Sequence, residues 1–212
     1  IGLKNFIDVK SDSGMMGGSV AHEFMLITPD GEDSIVFCND CDYRANMEVA
    51  VSVIDRPEAE DEPMREIYTG EDKTIEEVCA RLNIPASRTV KAVVYAVKGD
   101  SDELVVAFIR GDLEVNEAKL KKVLGKNVVA YDGGISEDIV CGNIGAIGLS
   151  DKIVKVFDKS LEGCKGMVTG ANKPEYHIAG VNVARDFGNV TFVDVAKAAA
   201  GHRCPVCGGS LR

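Results

Sequence analysis

Nowhere in its 212 residues does this chain hold an apolar run long enough to cross a bilayer. The longest, 92–97 and 104–109, are a small part of the roughly 20 residues that a spanning helix needs. No charged-then-apolar leader opens it, so the expectation is a cytoplasmic chain with no membrane partner. HExxH, GxSxG and Walker patterns are missing, which leaves metalloprotease, α/β-hydrolase and P-loop readings without a basis. Positive charge is short as well. The formal net charge is −10, and residues 1–65 hold 5 Lys and Arg against 14 Asp and Glu, while 66–200 are nearly balanced. A surface this acidic repels phosphate and excludes a general nucleic-acid coat protein. Any RNA contact has to be local. The densest basic cluster is Lys119, Lys121, Lys122 and Lys126, whose plainer reading is a solvated helix face.

What the chain does have is a core-forming composition, 45% hydrophobic and 27% charged, together with seven cysteines. Without a leader these do not read as a disulfide scaffold. Four form two CxxC pairs, Cys38 with Cys41 and Cys204 with Cys207, the ligand arithmetic of a tetrahedral zinc site. Gly208 and Gly209 let the backbone curl so that its N–H groups face the thiolates. A redox CxxC would instead open a helix, which the residues around Cys204 do not. Between the pairs lie 162 residues, against roughly 15–20 in an ordinary zinc ribbon. Either the pairs are unrelated or a whole domain is inserted between two knuckles. Cys79, Cys141 and Cys164 stand in apolar contexts and read as small core residues. The first residue is Ile1, and the chain is read as a piece of a longer one.

Strands are expected over 19–29 and 34–38 around a turn at 29–32, followed by a helix over 42–53. Residues 56–63, acidic and bracketed by Pro57 and Pro63, have the composition of a linker. Thr74 and Glu77 then make a capping box for a helix carrying Ile75, Val78 and Leu82, which ends before Pro85. Strands follow at 90–97 and 104–109 across a turn at Gly99 and Asp100, with a helix over 115–124 closed by Gly125. Further strands are expected at 128–131, 153–157, near 177–183 and at 190–193, with helices at 136–141 and 195–200. Helices and strands alternate without a repeat. Residues 68–200 are therefore expected to be an α/β or α+β domain able to fold alone.

Several positions in that region could carry chemistry. Lys91 interrupts an apolar strand on the face of Val93 and Tyr95, either as an edge residue reaching water or as a cation aimed into a pocket. Arg110, Gly111 and Asp112 stand where a strand gives way to a helix, as a ligand loop or as plain turn chemistry. The glycine-spaced run 142–148 either receives a carbonyl or phosphate oxygen on its N–H groups or is a structural turn. Asp158 closes a strand. His177, the lone histidine of the region, follows soon after Gly170, Ala171 and Asn172.

An ordered set of segments resembles bacterial-type prolyl-tRNA synthetases. These are DSG at 12–14, GGSVAHEF at 17–24, CDYRAN at 41–46, TVK at 89–91, RGDLEVNE at 110–117, TGAN at 169–172, RDF at 185–187 and 204–212. The resemblance implies that 1–65 are part of a class II catalytic core, to which 201–212 return with a zinc knuckle. Residues 66–200 would be an inserted editing domain similar to free-standing YbaK-type deacylases, a mixed sheet with surrounding helices. Such an enzyme is a homodimer that joins proline to proline tRNA with ATP and magnesium. Its insertion removes alanine attached by mistake. A proline pocket admits the smaller alanine, and about 1–3 kcal/mol per methylene is too little to reject it.

Carried over by position, Lys91 resembles the family's essential editing lysine and would hold the terminal adenosine or its phosphate. Asp158 and His177 match residues that shape the alanine-sized pocket or orient water. Gly142, Gly145 and Ala146 match the substrate loop, whose N–H groups would steady the oxyanion. Arg110, Asp112 and Asn172 fall in the family's motifs on the substrate side, and Ser19 and His22 in the run lining part of the proline pocket. The chain departs from the pattern at Ala146, usually proline, and at Val183, commonly tryptophan. The expectation is a piece that deacylates but does not aminoacylate. The alternative is a zinc-stabilised tRNA-binding module without catalysis.

Overall fold

The structure is a computed structural model that describes residues 6–12, 21–28, 31–131, 133 and 139–212. Contacts divide the chain into two units: Ile1–Ile54 with Asn116–Lys119 and Lys197–Arg212, and Asp55–Val115 with Leu120–Ala196.

In the first unit, strands β1 (Phe6–Ser11), β2 (Ala21–Leu26), β3 (Ile35–Phe37) and β4 (Arg44–Asn46) form a sheet of order β2-β1-β4-β3. Ser19 and the turn residues Pro29 and Asp30 lie outside the described residues. The helix expected over 42–53 does not form. Asn46 Oδ1 accepts from the Glu48 amide at 3.1 Å, and the Tyr43 hydroxyl both donates to the Val51 carbonyl and accepts its amide. These side chains take backbone groups that a helix would have used, so the segment pairs as β4 and then turns. Val36, Ala45, Ala50, Cys204 and Leu211 form the core of this unit.

Further along come β5 (Arg65–Tyr68), α1 (Ile75–Leu82), β6 (Val90–Val97), β7 (Asp100–Arg110), α2 (Glu117–Leu124), β8 (Val128–Ala130) and β9 (Val154–Asp158). They are followed by β10 (Met167–Gly170), β11 (Tyr176–Val181), α3 (Val183–Asp186) and β12 (Phe192–Val193). The second unit holds a mixed sheet of order β12-β9-β7-β6-β8 and an antiparallel one of order β10-β11-β5. Alternation along β6 and β7 feeds two cores. Val90, Val106 and Phe108 meet Leu161, Met167 and Val181, while Tyr95, Val105 and Ala107 meet Leu120 and Val195. This is the mixed α/β class expected of the sequence.

Both halves of the capping box are made: Glu77 N to Thr74 Oγ1 at 3.2 Å and Thr74 N to Glu77 Oε2 at 3.0 Å. The expected helix over 195–200 is absent, because the Val195 amide bonds Asp158 Oδ2 at 2.8 Å and Ala196 bridges to Val115. Of the expected helix at 136–141, residues 136–138 lie outside the described residues and 139–141 are not helical. The acidic stretch 56–63 has a linker's composition but is tied down. Arg185 pairs with Asp61 at 2.8 Å, and a side chain at Gly180 would strike the Pro63 carbonyl at 2.3 Å. Among the described residues no helix is long and apolar enough to cross a membrane.

Candidate functional site

A cavity of about 350 Å³ opens in the second unit, and the start of β6 supplies Val90 and Lys91 to its wall. The opening of α1 supplies Thr74 and Ile75, the glycine run supplies Gly142 and Ile144, and β10 and β11 supply Gly170 and His177. The Lys91 side chain is half-buried and its ammonium donates to the Leu113 carbonyl. That bond uses one of three donors and fixes the cation in place.

His177 is buried at the middle of its sheet, between Gly170 and Ile67 in register. Its Nδ1 lies 2.8 Å from Thr69 Oγ1, and that hydroxyl donates to the Glu175 carbonyl at 3.2 Å. With the hydroxyl proton on the Glu175 carbonyl, Nδ1–H donates to Thr69 Oγ1 and Nε2 is the acceptor; with that proton on Nδ1, the two ring nitrogens exchange roles. Burial pushes the imidazole pKa down, against the opposing pull of Asp72. The ring is then neutral in the fold where an unfolded histidine, with a pKa of about 6.5, takes up a proton. Its stabilising contribution is full above that value and is lost as pH falls through the lower, folded value. The denaturation midpoint should accordingly drop on acidification from pH 7.5, and His177→Gln should remove that part of the slope.

The glycine run is laid against β10 without side chains between. A Cβ on Gly145 would lie 1.8 Å from the Gly170 carbonyl oxygen, and one on Gly170 would lie 2.2 Å from that of Asn143. Asn172, in the left-handed region at φ +52°, clamps the run from outside. Its Oδ1 accepts from the Gly145 amide, and its Nδ2 donates to the Gly145 and Ile147 carbonyls, all at 2.9 Å.

Of the residues singled out in the sequence, this cavity gathers Lys91, Gly142 and His177. Asp158 is not among them. It is 1% exposed, and its two oxygens accept from the amides of Ser160 and Val195, so it caps a turn. Arg110 and Asp112 grip each other through two bonds of 2.6 and 2.8 Å, and the Arg110 guanidinium also holds the Asp55 carbonyl. Only Gly111 between them lines the cavity. The Gly145 amide is spent on Asn172 and cannot meet an oxyanion, while Ala146 packs on the core. His22 is exposed on β2 of the first unit, 2.9 Å from Asp8. Thr69, Lys73 and Thr89 were missed as site residues. The TVK motif was the available signal for Thr89, and the capping box for the chain around Lys73.

In the first unit the four sulfurs of Cys38, Cys41, Cys204 and Cys207 lie within 4.8 Å of one another and could hold a metal ion. Cys38 and Cys207 are 3.4 Å apart, and Cys41 and Cys204 are 3.7 Å apart. A tetrahedron with metal–sulfur bonds of about 2.3 Å has edges of about 3.8 Å, so the donor set fits. Amides of Asp40, Val206 and Gly209 donate to three of the sulfurs, as knuckles require. The positive φ of Gly208 (+78°) makes the second curl. Burial resists ionisation of Cys204, but the Cys207 and Val206 amides bring its pKa down to about 7. At Cys41 the Tyr43 amide favours the thiolate, yet burial and the three other sulfurs push the pKa up to about 12. Thiols this crowded cannot all ionise without a cation.

Residues 69–187 match the aminoacyl-tRNA editing domain family. Nearly the whole chain is similar to proline–tRNA ligases. It is 37% identical to that of Syntrophomonas wolfei (96% of this chain, 36% of the relative) and 39% identical to that of Aquifex aeolicus (98% and 37%). The chain thus spans little more than a third of the length of these relatives. A solved structure described as a candidate trans-editing enzyme for prolyl tRNA synthetase shares the fold, with a TM-score of 0.52 at 11% identity. The match covers 64% of this chain and 87% of that one.

Proposed function

Because the chain belongs to the aminoacyl-tRNA editing domain family, we propose that its second unit hydrolyses alanine from mischarged proline tRNA as part of a proline–tRNA ligase. The observation that carries this reading is the one cavity that holds Lys91, Gly142 and His177 together.

Lys91, steadied by the Leu113 carbonyl, offers its remaining donors to the terminal adenosine or its phosphate and fixes the ester. In the tautomer protonated at Nδ1, Nε2 of the neutral His177 accepts a hydrogen bond from the attacking water or from the substrate's ammonium group. Water adds to the ester carbonyl, the bond to the ribose oxygen breaks, and that oxygen keeps a proton from the water. The oxyanion formed between these steps is met by the amides of Gly142 and Ile144. We assign the exclusion of the five-membered ring to the wall that the interlocked glycines form. Residues 1–65 and 201–212 are read as pieces of the class II core, and 66–200 as the insertion. The complete enzyme would use proline, ATP and magnesium in the cytoplasm as a homodimer.

The test is deacylation of alanyl- and prolyl-charged proline tRNA by the chain. Alanine should be released and proline retained. Intact alanyl-tRNA beside well-folded protein would overturn the reading and favour an RNA-binding module. We propose zinc as the ion of the four thiolates. Reduced, chelator-treated chain should take up one zinc per molecule by elemental analysis, and Cys204→Ser should lose it.

A further inference from the structure

The cavity has a neighbour in the same unit, a concavity of about 480 Å³ lined by Gly70, Glu71, Cys141, Asn143 and Glu175, among others. Lys73 lines both. Its aliphatic stem crosses Gly142 so closely that a Cβ there would lie 2.6 Å from Lys73 Cγ. Gly142, at φ +85°, faces the first cavity, while its chain neighbours Cys141 and Asn143 face the second. The ridge between the two is therefore one residue wide, and the stem of Lys73 lies across it. Among the described residues the Lys73 ammonium makes no hydrogen bond or ion pair. Glu77 feels its charge, but this carboxylate is held by the Lys73 and Thr74 amides at 3.0 Å.

We propose that Lys73 binds the phosphodiester joining the last two nucleotides of the RNA, with the penultimate base in the second concavity. The choice of ligand rests on the deacylase reading, with Lys91 on the terminal adenosine itself, which puts that nucleoside and its ester in the first cavity. The charges assign the parts. Glu71 and Glu175 repel a phosphate from the second concavity, yet carboxylates accept from an exocyclic amino group such as cytosine N4. The phosphate is left to the ridge, which the lysine that lines both cavities crosses.

Binding of cytidylyl-(3′→5′)-adenosine and of adenosine to the full chain tests this by titration calorimetry. The dinucleotide should bind about fivefold tighter than adenosine, as suits an exposed ion pair. The advantage should shrink with salt, vanish in Lys73→Gln and persist in Lys73→Arg. Equal affinities in the native chain, or an advantage that survives Lys73→Gln, would overturn the proposal. With alanyl-tRNA, Lys73→Gln should raise KM about fivefold and leave kcat in place. A native chain that hydrolyses nothing but keeps a Lys73-dependent preference for the dinucleotide would sink the deacylase reading and leave this site standing. Hydrolysis without that preference would do the reverse.

Discussion

Lys91→Ala is expected to lower the rate of alanyl-tRNA deacylation by about 10²–10³-fold, the scale on which removing one preorganised donor acts. The fold should survive. The substitution deletes one half-buried donor to the Leu113 carbonyl, a net loss of about 0.5–1.5 kcal/mol, and leaves the β6–β7 pairing intact. Lys91→Met separates charge from bulk, since it keeps an unbranched stem against the cavity wall. Both variants should show near-native urea midpoints and similarly depressed single-turnover rates. Full activity in either would remove the lysine from the chemistry. Loss of activity together with a collapsed midpoint would show instead that the Leu113 bond holds the fold.

Lys91 and Asp158 look alike in the sequence, each a charged residue at one end of an apolar strand. Their environments differ for reasons that lie far along the chain. Lys91 meets a carbonyl 22 residues later and stays at the cavity, whereas Asp158 is captured by an amide 37 residues later and withdrawn into a cap. Local chemistry was legible where partners are close in sequence. Thr74 and Glu77 are three residues apart, the β6–β7 hairpin turns at Gly99, and the glycines beside Cys207 bend a knuckle that needs no distant help. The meeting of the two CxxC pairs could be counted from ligand number, but the mixed sheet determines neither pair. Arg110 and Asn172 were placed on the substrate side by motif alone. The structure gives each a partner that the motif does not contain, Asp55 for one and the Gly145 peptide for the other. Strands β5 and β10 were missed because one carries two charges in four residues and the other ends in glycine. Tertiary pairing overrides weak propensity at both.

The Gly145 contact implies an effect nearly as large as that of Lys91. Gly145→Ala should abolish deacylation and reduce the unfolding free energy by about 1–3 kcal/mol, the usual cost of overpacking. The added methyl would fall 1.8 Å from a backbone oxygen of β10, and no rotamer relieves a backbone clash. The run must lift, which breaks the three Asn172 bonds and moves Gly142 and Ile144 away from Lys91 and His177. Gly148→Ala is the control. Its φ of +75° is unfavourable for alanine, costing about 1–2 kcal/mol, but among the described residues nothing lies within 4 Å of the new methyl. It should lose stability and keep its turnover. Comparable deacylation by the two variants would mean that the glycine run only supports the fold, and that the alanine-sized space is set by other walls of the cavity.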